Sequence, residues 1–87
     1  MNLEDKLQEM RKITVGNLPK QYLDELRIYN NQITHTETSL TEKRKALMDF
    51  NMLRAELTEK GHYVDYLNYM SVEYKHKLYP GDKNGQY

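Results

Sequence analysis

Apolar side chains recur in steps of four and three along a stretch from Lys20 to Lys60 that contains neither glycine nor proline. This heptad stripe consists of Tyr22, Leu26, Tyr29, Ile33, Thr36, Leu40, Lys43, Leu47, Phe50, Arg54 and Leu57. A stripe of this period predicts one long helix with a partner along its length. At about 1.5 Å per residue, that helix would be about 60 Å long and could not bury its own stripe. We therefore expect self-association, with an oligomer interface formed by Tyr22, Leu26, Tyr29, Ile33, Leu40, Leu47, Phe50 and Leu57.

One segment of this stretch also suits a turn. Residues 34–39 are rich in threonine and serine, which compete with helix formation, and Ser39 with Glu42 has the spacing of a capping box. A turn near residues 36–39 would fold the long helix into a hairpin. The continuous helix is the favoured interpretation because Ile33, Thr36 and Leu40 keep the phase of the stripe, and no glycine, proline or aspartate marks a turn.

Shorter helices are predicted on both sides of the long one. The first covers about residues 2–13, where Asn2 is a candidate N-cap and Gly16-Asn17 would tolerate a left-handed helix end. The long helix would cover residues 19–60, because Pro19 suits a first turn and Gly61 suits the position after a helix. The third helix would cover residues 62–79, and residues 80–87 would form a flexible tail. The predicted fold is all-α, a single helical domain over residues 1–79 with a long central helix flanked by two shorter ones.

The segment after Gly61 fits two periodicities. Its apolar residues match a helical stripe and, nearly as well, one face of a strand, but 18 residues without a turn signal favour a helix. This helix carries five of the eight tyrosines, and tyrosine is enriched at interface hot spots. We therefore assign a partner-binding face to Tyr63, Tyr66, Tyr74 and Lys77. The alternative is that these tyrosines pack inside the chain.

Two methionines lie beside the heptad stripe. Met48 and Met52, together with Leu53, form a second apolar strip. We expect the third helix to pack on this strip, and the alternative is an adaptable surface for a partner.

Composition narrows the class of protein. The 87 residues carry 13 basic and 13 acidic side chains and no cysteine, so neither disulfides nor thiolate metal sites are available. A chain this small usually needs an oligomer or a partner for stability when it lacks such links. Zero net charge argues against a dedicated DNA-binding protein. The sequence has no apolar run long enough to span a membrane and no secretion signal at its start, which predicts a cytoplasmic protein.

Candidate catalytic and metal-binding residues are few. Glu73 and His76 have the Glu-x-x-His spacing of di-iron helical bundles, but those bundles need two such pairs, and His35 and His62 do not supply the second. Ser39 and Ser71 lie in no nucleophile motif, and no glycine-rich phosphate loop is present. The sequence therefore predicts a protein that is not an enzyme and needs no metal or cofactor.

The functional hypothesis that follows is stoichiometric binding to a protein partner. The chain would act as a small helical adaptor or inhibitor, for example a phage-type accessory or anti-defence protein. A second hypothesis is an oligomeric binder of nucleotides or single-stranded nucleic acid. It would use the tyrosines with the basic clusters, which are Lys43-Arg44-Lys45 and Lys75, His76, Lys77 and Lys83. A third hypothesis is a structural assembly or scaffolding subunit.

Overall fold

The computed structural model describes residues 2–80. This part of the chain is all-α, with four helices and no strand: α1 (Leu3–Asn17), α2 (Lys20–Thr34), α3 (Leu40–Glu59) and α4 (Asp65–Leu78). The Asn2 side chain caps α1 by accepting a hydrogen bond of 2.8 Å from the backbone N–H of Asp5. The choice of helix over strand for the segment after Gly61 is thus confirmed. The predicted tail falls mostly on residues 81–87, outside the described residues.

The predicted continuous helix from residue 19 to residue 60 is wrong, because the chain turns at residues 35–39. Ser39 caps α3: its Oγ accepts from the backbone N–H of Glu42 at 3.2 Å and donates to the Glu42 carboxylate at 2.9 Å, so the serine half of the predicted capping box is formed. A new helix, α3, therefore begins after Ser39. The preceding helix, α2, ends where the backbone N–H of His35 donates to the carbonyl of Asn31. The stripe keeps its phase across the turn because both halves face the same interior, so its periodicity could not distinguish a rod from a hairpin.

The helices pack as a chain of antiparallel neighbours. The end of α3 lies beside the start of α2, where Lys60 Nζ and Tyr22 Oη are 2.7 Å apart. The end of α4 lies beside the start of α3, where Arg44 donates to the carbonyl of Leu78 at 2.9 and 3.2 Å. Extended interfaces form between α2 and α3, between α3 and α4, and between α1 and α4, but not between α1 and α2. One side of the four-helix arrangement is therefore open.

The heptad stripe lies inside this arrangement. Five of its members are core residues, namely Leu26, Ile33, Leu47, Phe50 and Leu57. Tyr22 and Tyr29 pack against that core, whereas Leu40 is 51% exposed at the start of α3. The longest dimension is 33 Å, about half the length expected of the rod. Since the chain covers most of the stripe itself, the reason for expecting self-association along it no longer holds.

Two further helix ends differ from the sequence-based boundaries, and one of them is the start of α4 at Asp65, three residues after its predicted start at residue 62. Gly16 and Asn17 belong to α1, which runs four residues beyond its predicted end at about Ile13, and neither has a positive φ. The predicted end of α3 is confirmed, since Lys60 is its C-cap and Gly61 has a φ of 82°. The backbone N–H of His62 then bonds to the carbonyl of Leu57, which closes the helix end.

None of the described helices is both long enough and apolar enough to cross a bilayer.

Candidate functional site

A cleft occupies the open side of the arrangement, between α1 and α2, with α4 as its floor. It has two adjoining halves of about 430 and 420 Å³, which share Arg11, Asn30, Tyr66, Met70 and Tyr74 among their lining residues. Each half falls within the size range of ligand pockets, and gaps between helices of a bundle are common binding sites. The cleft is therefore the strongest candidate for a functional site in the described part of the chain.

The floor of the cleft rests on the core through Tyr74. Its side chain is 5% exposed, and its ring packs edge-on against Phe50 with centroids 5.5 Å apart. The Tyr74 hydroxyl donates a hydrogen bond to Oδ1 of Asn30, which ties α4 to α2. Burial raises the pKa of Tyr74 to about 12, and the nearby Tyr66 adds to the shift. Because this hydroxyl already has its partner, the floor offers a ligand mainly apolar surface.

The walls of the cleft carry charges, and their balance changes along its length. In the half near the start of α2, the charged lining residues are Arg11 on α1 and Arg27 on α2. In the other half, Glu4 and Glu73 accompany Arg11 and Lys77. One end is thus cationic and the other is mixed.

Three of the four predicted partner-binding residues meet in this cleft. Tyr66, Tyr74 and Lys77 line it, whereas Tyr63 is half-buried and does not. Tyr74 is a core residue that only shows an edge to the cleft, so its predicted role in docking needs this correction. Sequence reasoning missed Arg11, Arg27 and Asn30, which come from helices far away in the chain. No pattern in the sequence pairs them with α4.

The eight residues predicted as an oligomer interface do not form one exposed surface. Seven of them are buried in the chain or packed against its core, and Leu40 alone is exposed. An interface built from the others would require the hairpin of α2 and α3 to open.

Several basic residues of the predicted clusters already have contacts within the chain. Arg44 donates to the carbonyl at the end of α4 and lies 4.4 Å from the ring centroid of Tyr79. Arg54, an interruption of the heptad stripe, donates to Asn68 at 2.8 Å and so links α3 to α4. Lys45 is 3.8 Å from Asp49 on its own helix. Arg44 and Arg54 are thus held by groups of this chain, whereas the exposed pair of Lys45 with Asp49 is weak.

The second apolar strip is only partly covered. Leu53 is in the core, but Met48 is 62% and Met52 is 69% exposed. The expectation that the third helix packs on both methionines is therefore wrong. That helix, α4, meets α3 through apolar contacts such as that of Tyr74 with Phe50, and through polar pairs such as Ser71 with Asn51.

Metal binding finds no support among the described residues. Within residues 2–80, no group of three or more histidine, aspartate or glutamate side chains is placed to hold a metal ion. Glu73 lies near Tyr69 instead: burial raises the pKa of Tyr69, and the neighbouring Glu73 carboxylate adds to that rise.

No protein-family model matches the chain, and neither a curated protein nor a solved structure is detectably similar to it. Function therefore has to be inferred from the residues and the geometry of the chain itself.

Proposed function

We propose that the chain is a small binding module that takes apolar side chains of a protein partner into the cleft between α1 and α2. In this role it acts as an adaptor or a stoichiometric inhibitor, by occupying a surface of the partner. The observation that carries the proposal is the open side of the helical arrangement, where Tyr66, Met70 and Tyr74 face the space between two helices that do not close over them.

The chemistry of the cleft suits a protein partner. Tyr66 and Met70 are half-buried and give adaptable, largely apolar contact area. Among the described residues, no buried side-chain polar atom lacks a hydrogen-bond partner, so no buried polar group beneath the cleft requires a ligand. A pocket of this size admits a few side chains of a partner, as anchor residues do at interface hot spots.

The alternatives draw less support from the same surface. A nucleic-acid strand following the cleft would pass Glu4 and Glu73, which repel phosphates, and Arg44 and Arg54 are engaged within the chain. A scaffolding subunit would need an exposed stripe for its assembly, and most of the heptad stripe is in the core.

Selection from a displayed library of short random peptides on the immobilised chain tests the proposal. Peptides that bind are retested on Met70→Lys, which places a charge on the cleft floor. We expect that variant to lose them, because the ammonium group would be desolvated against apolar side chains. Met52→Lys, the same change on the exposed face of α3, is the matched control and should retain binding.

Folding has to be separated from binding in this test. Circular dichroism and thermal melting of both variants supply that comparison, and Tyr66→Ala provides a second cleft variant if Met70→Lys loses helicity. The proposal fails if selected peptides bind the cleft variants and the Met52→Lys control equally well.

A further inference from the structure

We infer that the partner segment recognised by the cleft is acidic as well as apolar: its apolar side chain sits over Tyr66 and Met70, and its carboxylate lies between Arg11 and Arg27. This inference rests on the proposed function and adds the chemistry of the partner and its direction in the cleft.

The two arginines are the first reason. Both side chains line the half of the cleft near the start of α2, one from each wall. Among residues 2–80, neither guanidinium makes an ion pair or a hydrogen bond. Arg44 and Arg54, by contrast, are both held by groups of this chain. Arg11 and Arg27 are therefore charged groups whose donors are still available to a partner.

Desolvation is the second reason. A partner whose apolar side chain fills the cleft also displaces water from the guanidinium groups at its walls. Both arginines are exposed residues at the walls of the cleft, so this loss of water is partial. A carboxylate between the two guanidiniums offsets it through charge-assisted hydrogen bonds. An apolar anchor with an acidic neighbour would thus bind more tightly than one without it, which makes the carboxylate a source of specificity.

The uneven charge along the cleft sets the direction of the segment. The half with Arg11 and Arg27 has no acidic lining residue and favours a carboxylate, while the other half presents Glu4 and Glu73 beside Lys77 and the shared Arg11. An acidic group at that second end would meet two carboxylates. The acidic residue of the partner is therefore placed at the end of the cleft where α2 begins, and the apolar residue lies toward Met70.

Phosphate is the other anion that two arginines bind, but the rest of the cleft disfavours a nucleic acid. A strand extends one phosphate per nucleotide, so binding along the cleft would carry further phosphates past Glu4 and Glu73. A peptide can place one acidic residue at the cationic end and leave the mixed end to apolar or basic residues. The observations thus favour an acidic peptide segment over an oligonucleotide.

Short fluorescent peptides with one central apolar pair test the inference. One peptide has two aspartates on one side of the pair, the second has asparagines there, and the third has lysines. Binding is measured by anisotropy to the parent chain, to Arg11→Gln with Arg27→Gln, and to Lys6→Gln with Lys20→Gln. The last variant is a matched control, because it removes one exposed cation from each of the same two helices outside the cleft.

We expect the parent chain to prefer the aspartate peptide over the asparagine peptide by about tenfold. The double arginine variant should lose that preference, and the double lysine variant should keep most of it. Raising the salt from about 50 to 200 mM should reduce the preference only moderately, because few charges are involved.

The outcomes separate this inference from the proposed function. If all three peptides bind equally to the parent and lose affinity on Met70→Lys, the cleft binds apolar segments and the acidic requirement is overturned. If no peptide depends on Met70, both the inference and the proposed function are overturned. An oligothymidine probe that binds tighter than the aspartate peptide and depends on both arginines would overturn the inference in favour of nucleic acid.

Discussion

The helices α1 and α3 differ in how many of their side chains are buried. Along α3, the buried residues are Ala46, Leu47, Phe50, Leu53 and Leu57, all of them apolar. Along α1, the one buried residue is Thr14, and its hydroxyl bonds to the carbonyl of Met10 within the same helix. Both helices carry apolar side chains, but only α3 has neighbours on two sides that cover them.

This difference places the stability of the chain and the candidate site in different regions. Burial of apolar area is the main favourable term in folding, so α3 with its neighbours α2 and α4 holds most of it. Leu7, Met10 and Ile13 of α1 are half-buried, so this helix adds less. Since α1 forms one wall of the cleft, the site is built partly from the least stabilised element, as is common for binding regions.

The largest effect that tests this comparison is expected at Leu57, which is completely buried in α3. Leu57→Ala should lower the free energy of unfolding by about 2 to 5 kcal/mol, because it leaves a cavity where no neighbour can collapse freely. Leu3→Ala in α1 is the matched control and should change it by less than about 0.5 kcal/mol, since Leu3 is exposed. Urea denaturation followed by circular dichroism measures both. Similar losses for the two variants would mean that α1 shares the core.

A smaller loss of stability, which depends on pH, is expected from substitution of Tyr74, a core residue that also lines the cleft. Tyr74→Phe should lower the free energy of unfolding by about 1 kcal/mol at neutral pH, because Asn30 loses the hydrogen bond donated by the tyrosine hydroxyl. The ring contact with Phe50 is kept, so the variant should remain folded.

The alkaline behaviour of Tyr74 follows from its raised pKa. Burial lifts the pKa from 10.0 to about 12 in the folded chain, so the unfolded chain loses this proton first. The contribution of the protonated Tyr74 hydroxyl to the free energy of unfolding is complete below pH 10, and it declines as the pH rises from 10 to about 12. Denaturation of the parent chain and of Tyr74→Phe across this range should show a steeper loss for the parent. Equal slopes would indicate that the hydroxyl is solvated.

The sequence predicted the local signals of this fold well, because each depends on residues close together in the chain. Gly61 ends α3 with a positive φ, Asn2 caps α1, and Ser39 caps α3 at the position that its spacing from Glu42 suggested. The error lay in the weight given to that last signal. The unbroken stripe favoured a continuous helix, although a hairpin whose two halves share one interior produces the same stripe.

The site was predictable only along one helix. The sequence grouped Tyr63, Tyr66, Tyr74 and Lys77 on one helix, and the structure brings the last three of them into one cleft. Arg11 and Arg27 were not predicted, since their approach depends on how α1 and α2 pack on α4. For the same reason, the sequence could not separate Tyr74, which is in the core, from Tyr66, which faces the cleft.

Asn2 caps α1 and Ser39 caps α3 by the same kind of hydrogen bond, so removing each cap compares the stability of the two helices. Ser39→Ala should lower the free energy of unfolding by about 1 kcal/mol, because it removes a cap from a helix that unfolds only with the core. Asn2→Ala removes the equivalent bond from α1 and should mainly increase fraying of that helix. Denaturation midpoints, with hydrogen exchange of the α1 amides, measure the two effects. A midpoint that falls equally in both variants would show that α1 unfolds together with the rest.

The smallest effect is expected from Gly16→Ala, which should strengthen α1 without touching its packing. Gly16 is helical, and a methyl group at this position would meet no atom within 4 Å, so alanine gains helix propensity of about 0.5 to 1 kcal/mol. Because the gain is confined to α1, slower amide exchange in that helix should exceed any rise in the global denaturation midpoint. Gly61→Ala is the control, and its positive φ predicts a loss instead. If the whole gain in helix propensity from Gly16→Ala appeared in the global denaturation midpoint, α1 would unfold together with the core. The two helices that form the walls of the cleft, α1 and α2, would then be equally stable.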